Sequence, residues 1–250
     1  MVSGIEALPS TRLYEIWFAQ KWGTTLSLRP GQLAADTEFI NAKYTEVFTN
    51  ASLGWPHVGQ FAQWRTVAAA GGARRRLRAN FTDNWTISAA IFDGDAAGPG
   101  LDDPQLRDNH GVRINDPPLV IGEVQYIWNG KKGDPGLDGK FKVGGWRHFG
   151  EFSDQRFTAQ GISLANPISS GIPADLSGNF GIYSVFEQKI YRVDNDDDRG
   201  IGLFARVSLT VVKKDRQTVS DHVIKRYCCF QQLLLHLAGQ FRPERKCCMA

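Results

Sequence analysis

Between Leu119 and Gly150 the chain reads LVIGEVQYIWNG, then a Gly/Asp/Pro-rich turn, then GKFKVGGWRHFG, two runs in which apolar and polar residues alternate. Successive side chains of a strand point to opposite faces, so Val120, Val124, Tyr126 and Trp128 share one side while Glu123 and Gln125 share the other. Later runs repeat the pattern. A soluble sheet also alternates, but here the polar side carries charged and amide groups and the apolar side ends in aromatics. That combination is the signature of a barrel wall set in lipid.

Composition narrows the choice only at two points. With 42% hydrophobic residues the 250-residue chain has enough apolar surface for a core or a barrel coat, yet it holds no run of the roughly 18 apolar residues that a membrane helix requires. Any passage through a membrane must therefore use strands. The formal net charge of +3 is too small to argue for a nucleic-acid partner. The first residues, MVSGIEALPSTRLYEIW, show no basic stretch followed by an apolar one, so no secretory leader is read here.

The cysteines form two adjacent pairs, Cys228/Cys229 and Cys247/Cys248, near the C-terminus. Their spacing does not match a zinc module, and His222 and His236 do not supply the usual paired geometry, so no metal is expected. Three other motif matches fail on context. Gly200, Gly202 and Ala205 imitate a dinucleotide fingerprint but lead into an alternating strand. The acidic run Asp194 to Asp198 lacks the glycine and glutamate of a calcium loop, with Arg199 and Ala205 in their places. The glycines at 133, 136 and 139 are too few for a collagen repeat. No nucleophile, base and orienting group stand in a recognisable arrangement, so neither enzyme nor cofactor is expected.

Strands are expected at Leu13 to Gln20, Thr24 to Arg29, Arg76 to Thr82, Trp85 to Asp93, Val120 to Trp128, Lys140 to His148, Asn179 to Arg192 and Ile201 to Ser208. Asp83 and Asn84 mark a tight hairpin, whereas Asp95 to Asn115 is long, polar and rich in Gly and Pro. Short turns at one end and long loops at the other are a barrel habit. Two segments depart from the alternation. Phe61 to Arg76 is an Ala/Gly/Arg run, and from Leu209 onward the chain reads as loosely helical, with Val219, Val223, Leu233, Leu234 and Leu237 suited to one side of a helix.

Several long runs carry a family resemblance: Arg29 to Pro56 (RPGQLAADTEFINAKYTEVFTNASLGWP), Leu77 to Asp95 (LRANFTDNWTISAAIFDGD), Asp116 to Asn129, Lys142 to Phe157 and Ser177 to Ser208. Together they resemble the carbohydrate-selective porins of the OprB family over nearly all of Thr11 to Ser208. The resemblance implies an all-β fold, an antiparallel sixteen-stranded outer-membrane barrel of a Gram-negative bacterium that passes sugars such as glucose by passive diffusion. Relative to that pattern the chain is expected to be a central piece, about half of the barrel. Residues 1–208 then form a partial porin domain, and 209–250 an unrelated, loosely helical tail that follows a truncation or a change of reading frame. The run before Arg76 is expected to share that origin. The expected partners are sugars and outer-membrane lipid, with no nucleic acid. The alternatives are an inactive fragment or a secreted carbohydrate-binding β-sandwich.

In such a pore, alternation places Arg29, Arg76, Arg78, Glu123, Gln125, Lys140, Lys142, Glu187 and Lys189 on the lumen side. A sugar channel needs polar groups that replace hydration and flat apolar faces that lie against the ring. Trp55 and Trp146, in or beside loop sequence, are the candidates for stacking or constriction. Tyr14, Phe18, Phe81, Trp85, Tyr126 and Trp128, near strand ends, fit a membrane-interface girdle, and His148 fits a polar rim.

Overall fold

A computed structural model describes residues 15–45, 73–94, 116–131, 133–193, 196–212 and 229–240. Trp55, Tyr14 and the Ala/Gly/Arg run up to residue 72 lie outside them. The described residues form one ten-stranded antiparallel sheet. Its strands are β1 (Ile16–Trp17), β2 (Gln20–Trp22), β3 (Leu26–Gln32), β4 (Ala73–Asn80), β5 (Trp85–Asp93), β6 (Pro118–Trp128), β7 (Gly139–Thr158), β8 (Pro173–Val193), β9 (Asp196–Val212) and β10 (Cys229–Gln240). The spatial order is β1-β3-β4-β5-β6-β7-β8-β9-β10, with β2 also on β3. β1 and β2 pair with opposite ends of β3, as the two halves of one interrupted strand.

Consecutive strands are spatial neighbours throughout, a meander that needs no crossover. Connections alternate in length. Residues 23–25, 81–84, 129–138 and 194–195 join strands at one end, and 33–72, 94–117, 159–172 and 213–228 join them at the other. The strands lengthen along the sheet, from 9 residues in β5 to 20 in β7 and 21 in β8. The strands expected from sequence are shorter here, ending at His148 and restarting at Asn179, whereas β7 runs on to Thr158 and β8 starts at Pro173. Their ladder continues through irregularities between His148 and Glu151 and between Ser153 and Thr158. Gly178, at a φ of 72°, sits next to that break.

The two faces differ as alternation requires. Ile87, Ile91, Val120, Val124, Val143 and Ile182 are exposed on one face, and Thr86, Glu123, Lys142, Glu187 and Arg206 are buried on the other. On the exposed face Trp85, Tyr126, Trp128 and Phe186 form a row at the short-turn end, with ring centroids 4.7, 5.9 and 6.1 Å apart in turn. Among the described residues there is no second sheet, which a β-sandwich would need for its core.

The tail departs from expectation. β9 runs without a break past Ser208 to Val212, and Cys229–Gln240 forms β10 rather than helix. The reason is tertiary: β9 presents a free edge of backbone donors and acceptors, and the tail pairs with it from Thr210 to Gly200 with one bulge. Helical spacing of leucines is a weak preference beside that ladder.

Glycines in β7 and β9 are notches for rings from the concave side. A Cβ on Gly144 would lie 2.3 Å from Cζ of Tyr183 and 2.7 Å from the carbonyl oxygen of Gly122. At Gly122 the nearest atom would be 3.9 Å away. Gly144→Ala is therefore expected to lower stability by about 1–3 kcal/mol, and Gly122→Ala to stay within about 0.5 kcal/mol of the parent. Urea midpoints of the detergent-folded chain check this; equal shifts for the two variants would contradict the notch.

Candidate functional site

After Gln32 the chain leaves β3, turns inward and lies against the concave face. Residues 33–45 contain a single helical turn, α1 (Ala35–Glu38), and a 3-10 turn (Lys43–Thr45). Neither is long enough to be stable alone. Burial supplies the stability instead. Leu33, Ala35, Phe39, Ile40 and Ala42 form one apolar cluster with Ala90 and Phe92 of β5, Leu119 and Ile121 of β6, Trp146 of β7, and Tyr183 and Val185 of β8. Phe39 meets Phe92 edge to face at 6.1 Å. The concave face thus carries its apolar cluster toward the long-loop end, with Arg76, His148 and Asn179 buried at the same level, and its carboxylates and lysines toward the short-turn end.

The polar part meets the inward segment residue by residue. The Ile40 N–H donates to Oε2 of Glu123 at 3.1 Å, and the Tyr183 hydroxyl donates to the same oxygen at 2.9 Å. Lys142 donates from Nζ to the Asn41 carbonyl at 3.0 Å and to its side-chain oxygen, and lies 3.6 Å from Oε1 of Glu123. The Tyr44 N–H donates to Oε1 of Glu187 at 3.3 Å, while Lys140 stands 3.6 Å from Oε2. The Tyr44 ring fills the notch over Gly202 of β9, where a Cβ would come within 2.1 Å of Cζ. Burial, reinforced by the charges of Asp138 and Glu187, pushes the Tyr44 phenol upward, so it stays protonated across the physiological range. Its hydroxyl is buried without a hydrogen-bond partner among the described residues.

Ile40 itself has a φ of 60°, an outlier for a β-branched residue that costs about 1–3 kcal/mol. A hydrogen bond to a charged acceptor contributes about 1.5–3 kcal/mol. The Glu123 carboxylate is therefore strong enough to hold the strained residue in place.

At the other end of the segment Glu38 binds two guanidinium groups, Nη1 of Arg29 at 2.8 Å and Nη1 of Arg76 at 3.1 Å. Arg29 also stacks 4.5 Å from the Trp17 ring centroid, and the Ala34 N–H donates to Glu15 at 2.9 Å. Lys189 pairs with Asp138 at 2.8 Å.

The nine lumen-side candidates divide accordingly. Arg76, Glu123, Lys142, Glu187 and Lys189 are buried, under or beside the inward segment. Arg29 keeps 32% of its side chain exposed and Lys140 29%, and Arg78 and Gln125 are part-exposed. Trp146 stands inside β7, 5% exposed, and not in a loop. Of the two glycines before it, both inside the strand expected over Lys140 to His148, Gly144 lacks the side chain that would meet the Tyr183 ring. His148 is also buried rather than at a rim, its Nε2 2.9 Å from the Gly94 carbonyl and its Nδ1 accepting from the Gly150 N–H at 2.9 Å. The inward segment is what sequence reading missed. Its signal was present, since Leu119 and Ile121 share the face of Glu123 by alternation and need an apolar cover.

Outside the barrel wall, Lys131 bridges two short turns through Asp83 at 2.5 Å. Their hydrogen bond and attraction depress the Asp83 carboxyl and raise Lys131. For a depressed carboxylate any stabilisation exists above its unfolded value and is lost as pH falls through the folded one. Both groups are in water, so screening leaves the pair little influence on stability. Lys131→Met is expected to move the Asp83 titration, followed by carboxyl-carbon NMR, up toward the ordinary aspartate value without changing the urea midpoint.

Comparison with known proteins agrees with this architecture. No curated protein matches the chain by sequence. A solved structure, the high-pH structure of Pseudomonas putida OprB, superposes with a TM-score of 0.58 at 18% identity, over 80% of this chain and 45% of that one. The chain thus spans less than half the length of that protein, and at this identity the likeness concerns the fold. The family profile described as carbohydrate-selective porin, OprB family, matches residues 1–227, a span that includes every described strand except β10. With the meander, the two-faced sheet and that match in hand, the chain belongs to the carbohydrate-selective porins of the OprB family.

Proposed function

We propose that this chain supplies wall and inward segment to a channel that passes sugars by passive diffusion through the outer membrane of a Gram-negative bacterium. The observation that carries the reading is the division of one sheet into an exposed apolar face and a concave polar face crossed by residues 33–45. The family is one of transport channels rather than enzymes. An apolar face with an aromatic row at one end suits lipid, and part-exposed polar groups beside a folded-in segment suit weak, repeated contacts with a moving solute. Among the described residues the sheet's outer edges, at β1 with β2 and at β10, leave backbone groups that lipid does not tolerate unpaired. Conduction therefore requires further strands to close the barrel, of which this chain forms about half.

Solute contact falls to the exposed members of the concave set, Arg29, Arg78, Gln125 and Lys140, with Trp55 as a stacking residue. Arg76, Glu123, Lys142, Glu187 and Lys189 support them from beneath. Proteoliposomes carrying the closed barrel are expected to swell in isosmotic glucose and far less in a trisaccharide. Gln125→Leu is expected to raise the sugar concentration that half-blocks ion conductance by about three- to tenfold, the loss of roughly one hydrogen bond. Inserted, heat-modifiable protein that gives no sugar-dependent swelling would overturn the reading.

A further inference from the structure

Residues Ile40 to Tyr44 run across the strands, not along them. Ile40 is bonded to β6 through Glu123, Asn41 to β7 through Lys142, and Tyr44 to β8 through Glu187 and to β9 through the Gly202 notch. Adjacent strands lie about 4.8 Å apart, so β6 to β8 is about 10 Å, within reach of four residues of partly extended chain. Each strand in succession thus meets the next part of the segment.

We propose that Glu123 and Glu187 are positioning residues that fix where this cross-brace traverses the sheet, by accepting the Ile40 and Tyr44 N–H groups, and that they do not serve as solute ligands. Both carboxylates are buried, and each also stands beside a lysine of β7: Lys142 for Glu123 and Lys140 for Glu187. The two latches are separable. Glu123 holds a strained, apolar-packed residue, and Glu187 acts together with the ring notch at Gly202. That the brace sets an aperture rests on the transport reading above; the brace itself does not.

Residue-resolved amide hydrogen exchange on the detergent-folded 250-residue chain tests this, with β6, β7 and β8 amides as the folding control. Glu123→Gln keeps an acceptor and is expected to retain Ile40 protection. Glu123→Met combined with Lys142→Met removes acceptor and cation together, stranding no buried charge; it is expected to speed Ile40 exchange about tenfold or more while the strands stay protected. Glu187→Met and Gly202→Ala are each expected to speed Tyr44 exchange and leave Ile40 unchanged. If Ile40 and Tyr44 stay protected in the methionine variants with the strands intact, the proposal fails. If Glu123→Gln or Gly202→Ala frees both amides at once, separable latching fails. The expected exchange pattern without sugar-dependent swelling would sink the transport reading and leave the brace standing.

Discussion

The carboxylate of Glu123, in the middle of β6, is the point on which the concave side depends. One oxygen receives the Ile40 N–H and the Tyr183 hydroxyl, and the other faces Lys142. A charge this deep depends on its partners, since breaking one side of a buried ion pair costs about 3–5 kcal/mol. Here the partners come from the inward segment, from β7 and from β8. The same group that would destabilise an empty wall therefore ties three separate parts of the chain together. Ile40 keeps a strained backbone, at a φ of 60°, while its N–H bonds to that carboxylate.

Shape supports the same arrangement. Tyr183 reaches Glu123 because Gly144 has no side chain, and Tyr44 reaches β9 because Gly202 has none. Both glycines sit in strands, where they weaken propensity. Each is offset by a ring that occupies the space a Cβ would take, and Tyr183 also brings a hydroxyl to the carboxylate. The concave side is consequently a packed core toward the long loops and a charged surface toward the short turns, with residues 33–45 covering the boundary.

The opposite face follows a different rule. It has no covering layer among the described residues, and its branched aliphatic side chains stay exposed from β4 to β9. On a water-soluble protein so wide an apolar area would be an adhesive patch. In the proposed channel this would be the surface turned to lipid, with the aromatic row from Trp85 to Phe186 along one end of it.

Much of this was legible in the residues. Period-two alternation assigned Val120 and Val124 to one face and Glu123 to the other, because a strand's geometry leaves no other choice, and turn chemistry at Asp83 and Asn84 located the hairpin. What alternation does not carry is what covers a face. The sequence by itself determined that this protein is a two-faced antiparallel meander with charge on one side, since strand period and turns are local properties. Only the tertiary structure decided that Leu33 to Tyr44 fold back over Leu119, Ile121 and Trp146, that Glu123 and Glu187 hold backbone amides, and that Cys229–Gln240 is a strand. Those outcomes are contacts between residues far apart in the chain, 143 positions in the case of Tyr44 and Glu187, and burial at such range leaves no period in the chain.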